Sequence, residues 1–211
     1  EDLTVENLKK ADVAIEFSTP ESAFNNISKC FDANIPVISG TTGWLDKLEQ
    51  IKKRCTEEKQ AFFYASNYSV GVNVFFMLNK YLANLMNAHK EYDVEMEEIH
   101  HTQKLDAPSG TAITLANGII ENMEGKNSWV CKRENESLSA KPEEIVITAL
   151  REDKVPGIHT VTYKSDVDSI EITHNAFSRK GFASGAVLAA EWIIGKKGIF
   201  GMSDMRNLKE N

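Results

Sequence analysis

Val13-Ala14-Ile15-Glu16-Phe17-Ser18-Thr19-Pro20 is a short, largely apolar run that stops on a helix-start signal. Such a run suits a buried strand of a parallel sheet, and Ser-Thr-Pro suits the cap and first turn of a following helix. The helix predicted over 21–33 carries Ala23, Phe24, Ile27, Cys30 and Phe31 on one face. Ile35-Pro36-Val37-Ile38-Ser39 repeats the strand signal and closes on Gly40-Thr41-Thr42-Gly43. Leu45, Leu48 and Ile51 then mark a second amphipathic helix, and Ala61-Phe62-Phe63-Tyr64-Ala65 a third strand ending in Ser66-Asn67-Tyr68-Ser69. This β-α-β-α-β alternation implies a parallel sheet with right-handed crossovers, whose ligand crevice lies at the carboxyl ends of its strands.

From Val70 onward the pattern changes. A long helix is predicted over about 72–88, a strand over 94–99, and a helix over about 111–123. The β-prone runs 145–150, 159–164 and 169–174 are separated by turn residues, which suits a mostly antiparallel sheet, and Asp153-Lys154-Val155-Pro156-Gly157 reads as a hairpin loop. A last helix over 182–194 carries Ala183, Ser184, Gly185 and Ala186, small residues that allow close approach to a sheet.

With 211 residues, 42% of them hydrophobic, the chain can bury a substantial core as one large domain or two small ones. The net charge of −7 argues against a nucleic-acid partner, because phosphate backbones are bound by a Lys/Arg excess. Cys30, Cys55 and Cys131 are odd in number and show no C-x-x-C spacing, so neither a disulfide framework nor a zinc cluster is indicated and a reducing cytoplasmic setting fits. No apolar run approaches the ~20 residues of a membrane helix, so no membrane partner is expected.

The chemistry concentrates in Glu98-Ile99-His100-His101-Thr102-Gln103-Lys104-Leu105-Asp106-Ala107-Pro108-Ser109-Gly110-Thr111-Ala112. Two histidines at a strand end precede a lysine, and Pro-Ser-Gly-Thr opens a helix. Neighbouring strand residues point to opposite faces, so His100 and His101 reach one pocket only if the chain bends there. Imidazole titrates near neutral pH, Lys104 adds a full charge, and a helix start offers unpaired N–H groups to a carboxylate. Each feature alone has a plainer reading: adjacent histidines are commonly structural, Pro-Ser-Gly-Thr is an ordinary cap, and Gly40 to Gly43 an ordinary strand-to-helix turn. A metal is not expected, since zinc-binding histidine pairs usually sit four apart on a helix or beside further ligands. His159 and His174 read as sheet-packing residues, His89 as a helix-end surface residue, and Arg179 as a surface salt bridge or a further dicarboxylate contact.

Taken whole, the string resembles the signature E-x-H-H-x-x-K-x-D-A-P-S-G-T-A of dihydrodipicolinate reductases. The likeness extends through Phe17 to Glu21, Gly40 to Gly43, Asn67 to Asn73, Gly157-Ile158-His159-Thr160, Glu171 to His174 and Phe182 to Gly185. The resemblance implies reduction of 4-hydroxy-tetrahydrodipicolinate with NADH or NADPH, on the route to diaminopimelate and lysine. It implies catalytic roles for His100 and Lys104, and substrate binding by His101, Gly110 and Thr111. Cofactor contacts are implied for Gly40, Thr41, Thr42, Ala65, Ser66, Asn67 and Tyr68. A homotetramer formed through the second domain's sheet is implied as well. The fold class expected is therefore α/β: a partial Rossmann-like parallel-sheet domain over 1–68 and 179–211, and a substrate-binding and oligomerisation α+β domain with a mixed, mostly antiparallel sheet over 69–178.

The sequence departs from the family pattern in one respect: G-x-G-x-x-G, the loop that cradles a pyrophosphate, occurs nowhere in it. The chain is thus expected to begin after the first βαβ unit, with an exposed apolar strand edge and weak cofactor binding. One alternative is a dicarboxylate-binding fragment without activity. Another is a different two-domain nicotinamide dehydrogenase, against which the His-His-Lys and Pro-Ser-Gly-Thr string speaks.

Overall fold

The structure is a computed structural model and describes residues 2–134, 136–178 and 180–205. Its elements run α1 (Val5–Leu8), β1 (Ala14–Glu16), α2 (Pro20–Asp32), β2 (Val37–Ser39), a 3-10 turn (Leu45–Lys47) continuing into α3 (Leu48–Glu57), β3 (Ala61–Tyr64), α4 (Val70–Met86), β4 (Asp93–His100), α5 (Gly110–Ile120), β5 (Ser128–Arg133), β6 (Glu144–Arg151), β7 (Gly157–Lys164), β8 (Ser169–Ala176), α6 (Lys180–Ile193), β9 (Gly198–Phe200) and α7 (Met202–Met205). Two compact units form, residues 1–70 with 180–211 and residues 71–179.

The first unit is a parallel sheet in the order β1-β2-β3-β9. Two faces need two covers, and the chain supplies both. Ala23, Ile27, Phe31, Trp44, Ile51, Cys55 and Phe62 close one face under α2 and α3; Ile38, Phe63, Tyr68, Ala186, Ala189, Ala190 and Ile193 close the other under α6. Each large side chain so buried contributes roughly 1.5–3 kcal/mol. Helix α2 starts where Pro20 follows Thr19, whose N–H donates to Ser22 Oγ at 3.3 Å. Helix α6 lies unusually close, because Gly185 faces backbone: a Cβ there would stand 1.8 Å from the Tyr68 carbonyl oxygen. Edge strand β1 leaves Ile15 and Phe17 about half exposed.

The second unit is a five-stranded sheet in the order β5-β6-β4-β7-β8. Alternation along β4 buries Val94, Met96, Glu98 and His100 and exposes Asp93, Glu95 and Glu97. Helices α4 and α5 cover the buried face through Phe75, Ala83, Met86, Leu115 and Ile119, packed on Ile145, Ile147, Val161 and Tyr163. Buried Asn79 ties the two helices together by donating to the Leu115 carbonyl at 2.9 Å.

Two features depart from expectation. The pairings β5–β6 and β4–β6 are parallel while β4–β7 and β7–β8 are antiparallel, so the sheet is evenly mixed rather than mostly antiparallel. Strand β5, which shows no clean alternation, and the three-residue β9 carry no strand signal in the sequence. The 153–157 stretch is no hairpin loop: β6 and β7 both pair with β4, one on each side, so this segment passes over the carboxyl end of β4. The Glu152 N–H accordingly donates to the His100 carbonyl at 2.8 Å.

Candidate active site

The buried face of β4 turns from apolar to ionisable at its last two inward positions. Glu98 and His100 follow Met96 with period two, and from flanking β7 His159, paired opposite Glu98, joins them. Helix α5 begins against this cluster. Its cap residue Ser109 donates its N–H to Glu98 Oε2 at 2.9 Å, hydrogen-bonds His159 Nε2 through its hydroxyl at 3.0 Å, and accepts from the Ala112 N–H at 3.2 Å. One residue thereby joins the helix start, the carboxylate and the second imidazole.

His100 Nδ1 and His159 Nε2 each stand 3.9 Å from Glu98 Oε2, and the two rings meet edge to face with centroids 5.0 Å apart. His100 Nδ1 is buried with no hydrogen-bond partner. Burial outweighs the attraction of Glu98 and, with the Lys104 and Arg151 charges, holds the His100 imidazole below its ordinary pKa. His159 is lowered to about 3, chiefly by burial and then by repulsion from His100, His174 and Lys104 in their protonated forms. Both rings therefore rest neutral at pH 7. The nearest ligand atoms of Glu98, His100 and His159 lie within 4.8 Å of one another, a spacing a metal could use, although the carboxylate already serves Ser109 and Arg151.

Past His100 the chain turns, with the Lys104 N–H donating to the His101 carbonyl at 3.0 Å. Strand alternation therefore no longer governs His101, which is half-buried. Lys104 Nζ contacts both Asp106 carboxylate oxygens, at 2.8 and 2.7 Å, and holds that carboxyl below its usual range. Arg151, at the end of β6, spans the turn: its Nε donates to the Lys104 carbonyl at 3.2 Å and one terminal nitrogen to the Asp106 carbonyl at 2.7 Å. The same guanidinium lies 3.5 Å from Glu98 Oε1. At the helix start, the N–H groups of Ser109 and Ala112 are satisfied, which leaves those of Gly110 and Thr111 as donors without intrahelical partners. Gly110 faces open space, since a Cβ there would meet nothing within 4 Å. His100 and the start of α5 thus meet at Glu98, and the Lys104 backbone is tied to the same carboxylate through Arg151, while the Lys104 ammonium turns to Asp106. Gly157 lines the same spot, its missing Cβ leaving 3.1 Å to His100 Nε2.

The residues expected to hold cofactor lie at the carboxyl ends of the parallel strands. Buried Glu16, at the end of β1, accepts from Ser39 Oγ at 2.6 Å and Thr41 Oγ1 at 3.0 Å, and Thr41 Oγ1 accepts the Ser18 N–H at 2.8 Å. This network fixes the Gly40–Gly43 turn, whose last residue has φ +80°. The exposed ring of Phe17 rests on Gly40, where any Cβ would fall 2.1 Å from it, and lies 5.5 Å from the Tyr68 ring. Tyr68 is itself buried, with its hydroxyl donating to the Ser39 carbonyl at 2.8 Å; Ala65 is buried and Ser66 exposed. An exposed flat apolar ring beside a polar turn fits the nicotinamide and ribose end of a dinucleotide, while a glycine-rich pyrophosphate cradle has no counterpart in the sequence.

Sequence reasoning assigns no part in the chemistry to Glu98, Ser109, Arg151 or His159, though Glu98 and Ser109 lie within the decisive string. Arg151 carries no local signal, and the β-prone run around His159 suggests sheet packing. His174 pairs opposite His159 and lies against the Phe75 ring at 6.0 Å. Arg179 lies outside the described residues. Among the described residues no helix is long and apolar enough to cross a membrane.

Comparison with known proteins bears on both units. Residues 2–68 match the family model "Dihydrodipicolinate reductase, N-terminus", and residues 71–205 match "Dihydrodipicolinate reductase, C-terminus". The chain is 55% identical over 194 residues to the 4-hydroxy-tetrahydrodipicolinate reductase of Christiangramia forsetii, covering 92% of this chain and 79% of that protein. It is 36% identical over 203 residues to that of Methanoregula boonei, covering 96% and 77%. Among solved structures, a dipicolinate-bound dihydrodipicolinate reductase from Paenisporosarcina sp. TG-14 superposes with a TM-score of 0.71 at 27% identity, over 92% of this chain and 74% of that one.

Proposed function

The chain belongs to the dihydrodipicolinate reductase family, and from that premise we propose how its own residues carry the reduction of 4-hydroxy-tetrahydrodipicolinate to tetrahydrodipicolinate in lysine and diaminopimelate biosynthesis. NADH or NADPH, when bound, supplies the hydride; the substrate first loses its 4-hydroxyl as water, and one proton then balances the hydride added to the ring. The substrate is a small cyclic dicarboxylate, and the chain offers three kinds of partner for it. The start of α5, with the amides of Gly110 and Thr111, takes one carboxylate, aided by the partial positive charge of a helix N-terminus. Lys104 brings a full charge to the ring and its other carboxylate, and acts as a proton donor. His101 completes the substrate contacts. His100 is the acid/base group: its imidazole rests neutral, takes up a proton from solvent as negative charge builds on the reduced ring, and with Lys104 delivers the single proton that the ring receives.

The observation that carries this reading is Ser109, which caps α5 while bonded to Glu98 and His159. That arrangement binds the anion-accepting helix start to the face that bears His100. Residues 1–68 and 179–211 serve the cofactor, through Gly40, Thr41, Thr42 and Ala65 to Tyr68, and residues 69–178 serve the substrate. The sheet face bearing Glu95, Glu97, Thr160 and Thr173, on which no helix of its own unit packs among the described residues, supports a homotetramer built through it. Three free cysteines suit a cytoplasmic enzyme.

Steady-state assay of His100→Gln, with calorimetric titration of pyridine-2,6-dicarboxylate, tests the roles. Turnover should fall by roughly 10²-fold or more, with dicarboxylate binding retained. Turnover near that of the parent enzyme would remove His100 from the chemistry.

A further inference from the structure

We propose that Glu98 and Arg151 are positioning residues for this reaction: an ion pair, fully buried at its carboxylate, that holds the His100 imidazole, the Lys104 turn and the start of α5 in one register. The inference rests on the site reading above and gives these two residues roles exerted through their neighbours.

Glu98 is fully buried, and its carboxylate is spent on protein groups from three other elements. From α5 comes the Ser109 N–H, at 2.9 Å; from β7 His159 Nε2, at 3.9 Å; from β6 the Arg151 guanidinium, at 3.5 Å. On its own strand it faces His100 Nδ1 at 3.9 Å, the buried nitrogen that has no hydrogen-bond partner. An ionised carboxylate is costly to bury, and a well-packed apolar residue would give the fold as much stability. A purely structural account therefore explains poorly why a carboxylate stands here. A positioning account explains it, since no apolar group can accept an N–H from α5, pair a guanidinium and polarise an imidazole at once.

Arg151 carries the arrangement outward. Besides Glu98, it donates to the carbonyls of Leu150, Lys104 and Asp106, at 2.7, 3.2 and 2.7 Å. Those last two carbonyls bracket the turn from which Lys104 projects. Only a planar fork can serve carbonyls in several directions together, and a lysine ammonium in its place could not reach them all.

The charged and titratable groups around His100 are Glu98 on β4, His159 on β7, Arg151 on β6, and Lys104 and Asp106 in the turn. Glu98 and Asp106 draw a proton to the imidazole while Lys104 and Arg151 repel it. Removing the Glu98 charge should therefore shift the His100 titration to lower pH, and removing the Arg151 charge should shift it to higher pH. Loss of packing alone has no reason to move the two in opposite directions.

The test is the pH dependence of kcat and kcat/KM with 4-hydroxy-tetrahydrodipicolinate for Glu98→Gln, Arg151→Met and Arg151→Lys, with thermal unfolding measured in parallel. Glutamine keeps an oxygen for the Ser109 N–H and loses only the charge. We expect kcat to fall roughly 10²-fold in Glu98→Gln and Arg151→Met, as for an Å-scale misplacement of a reacting group, with oppositely displaced acid limbs and no rescue by lysine. Should Glu98→Gln not fold, the variants at the partly exposed Arg151 carry the test alone. Activity within threefold of the parent enzyme, or acid limbs that stay in place, overturns the proposal. His100→Gln measured alongside separates the two readings. If it too is fully active, the site assignment fails; if it is inactive while the Glu98 and Arg151 variants are normal, only the positioning role fails.

Discussion

Replacing Gly185 by alanine probes the closest backbone approach in the parallel unit. The added Cβ would stand 1.8 Å from the Tyr68 carbonyl oxygen and 2.8 Å from its carbon, against roughly 3.5 Å for an ordinary contact. Neither partner can swing aside, because the oxygen is backbone and the Cβ sits on the helix itself. Helix α6 must therefore withdraw by about 1.5 Å, thinning the packing of Ala186, Ala189, Ala190 and Ile193, all now buried against the sheet. Overpacking of this kind costs about 1–3 kcal/mol, and the loosened contacts place this case at the upper end. For a chain of this size each kcal/mol lowers Tm by roughly 2–4 °C, so calorimetry should show a fall of about 10 °C. Gly110→Ala is the control: its Cβ meets nothing within 4 Å, and stability should be unchanged. A Gly185→Ala protein that melts within 2 °C of the parent would refute the close approach and, with it, the reason for the small-residue face of α6.

Gly157→Ala should put a methyl 3.1 Å from His100 Nε2 and displace that ring by a few tenths of an ångström. We expect kcat to fall roughly tenfold with little change in Tm, and a kcat within twofold of the parent would show that the imidazole has room to spare. Stability should also depend on pH through His159. Its folded pKa of about 3 lies below the ordinary 6.5, so its contribution is complete above about pH 6.5 and is lost as pH falls toward 3. Unfolding free energies from urea titrations between pH 7 and pH 4 should fall accordingly, by a few kcal/mol at most, and less so in His159→Gln. Equal slopes for the two proteins would mean that His159 is not held neutral by burial.

Much of the architecture was legible locally. The β-α-β-α-β alternation of the first 65 residues appears as a parallel sheet because short apolar runs and helical periodicity are properties of neighbouring residues. The same locality hid β9, three residues whose only qualification is a free edge beside β3, and β5, whose half-buried residues alternate poorly. It also produced the misreading of 153–157 as a hairpin loop, since turn residues between two β-prone runs look alike whether or not a third strand lies between them.

Within residues 98–112 the sequence by itself determined that an imidazole pair, an ammonium group and a helix start would lie close together, because fewer than fifteen residues separate them along the chain. Only the tertiary structure decided what surrounds them. His159 reaches Ser109 across a separation of 50 residues and Arg151 reaches Glu98 across 53. Those meetings follow from β6 and β7 flanking β4 on opposite sides. Strand order is set by which faces must be covered and which crossovers close, and no local period records it.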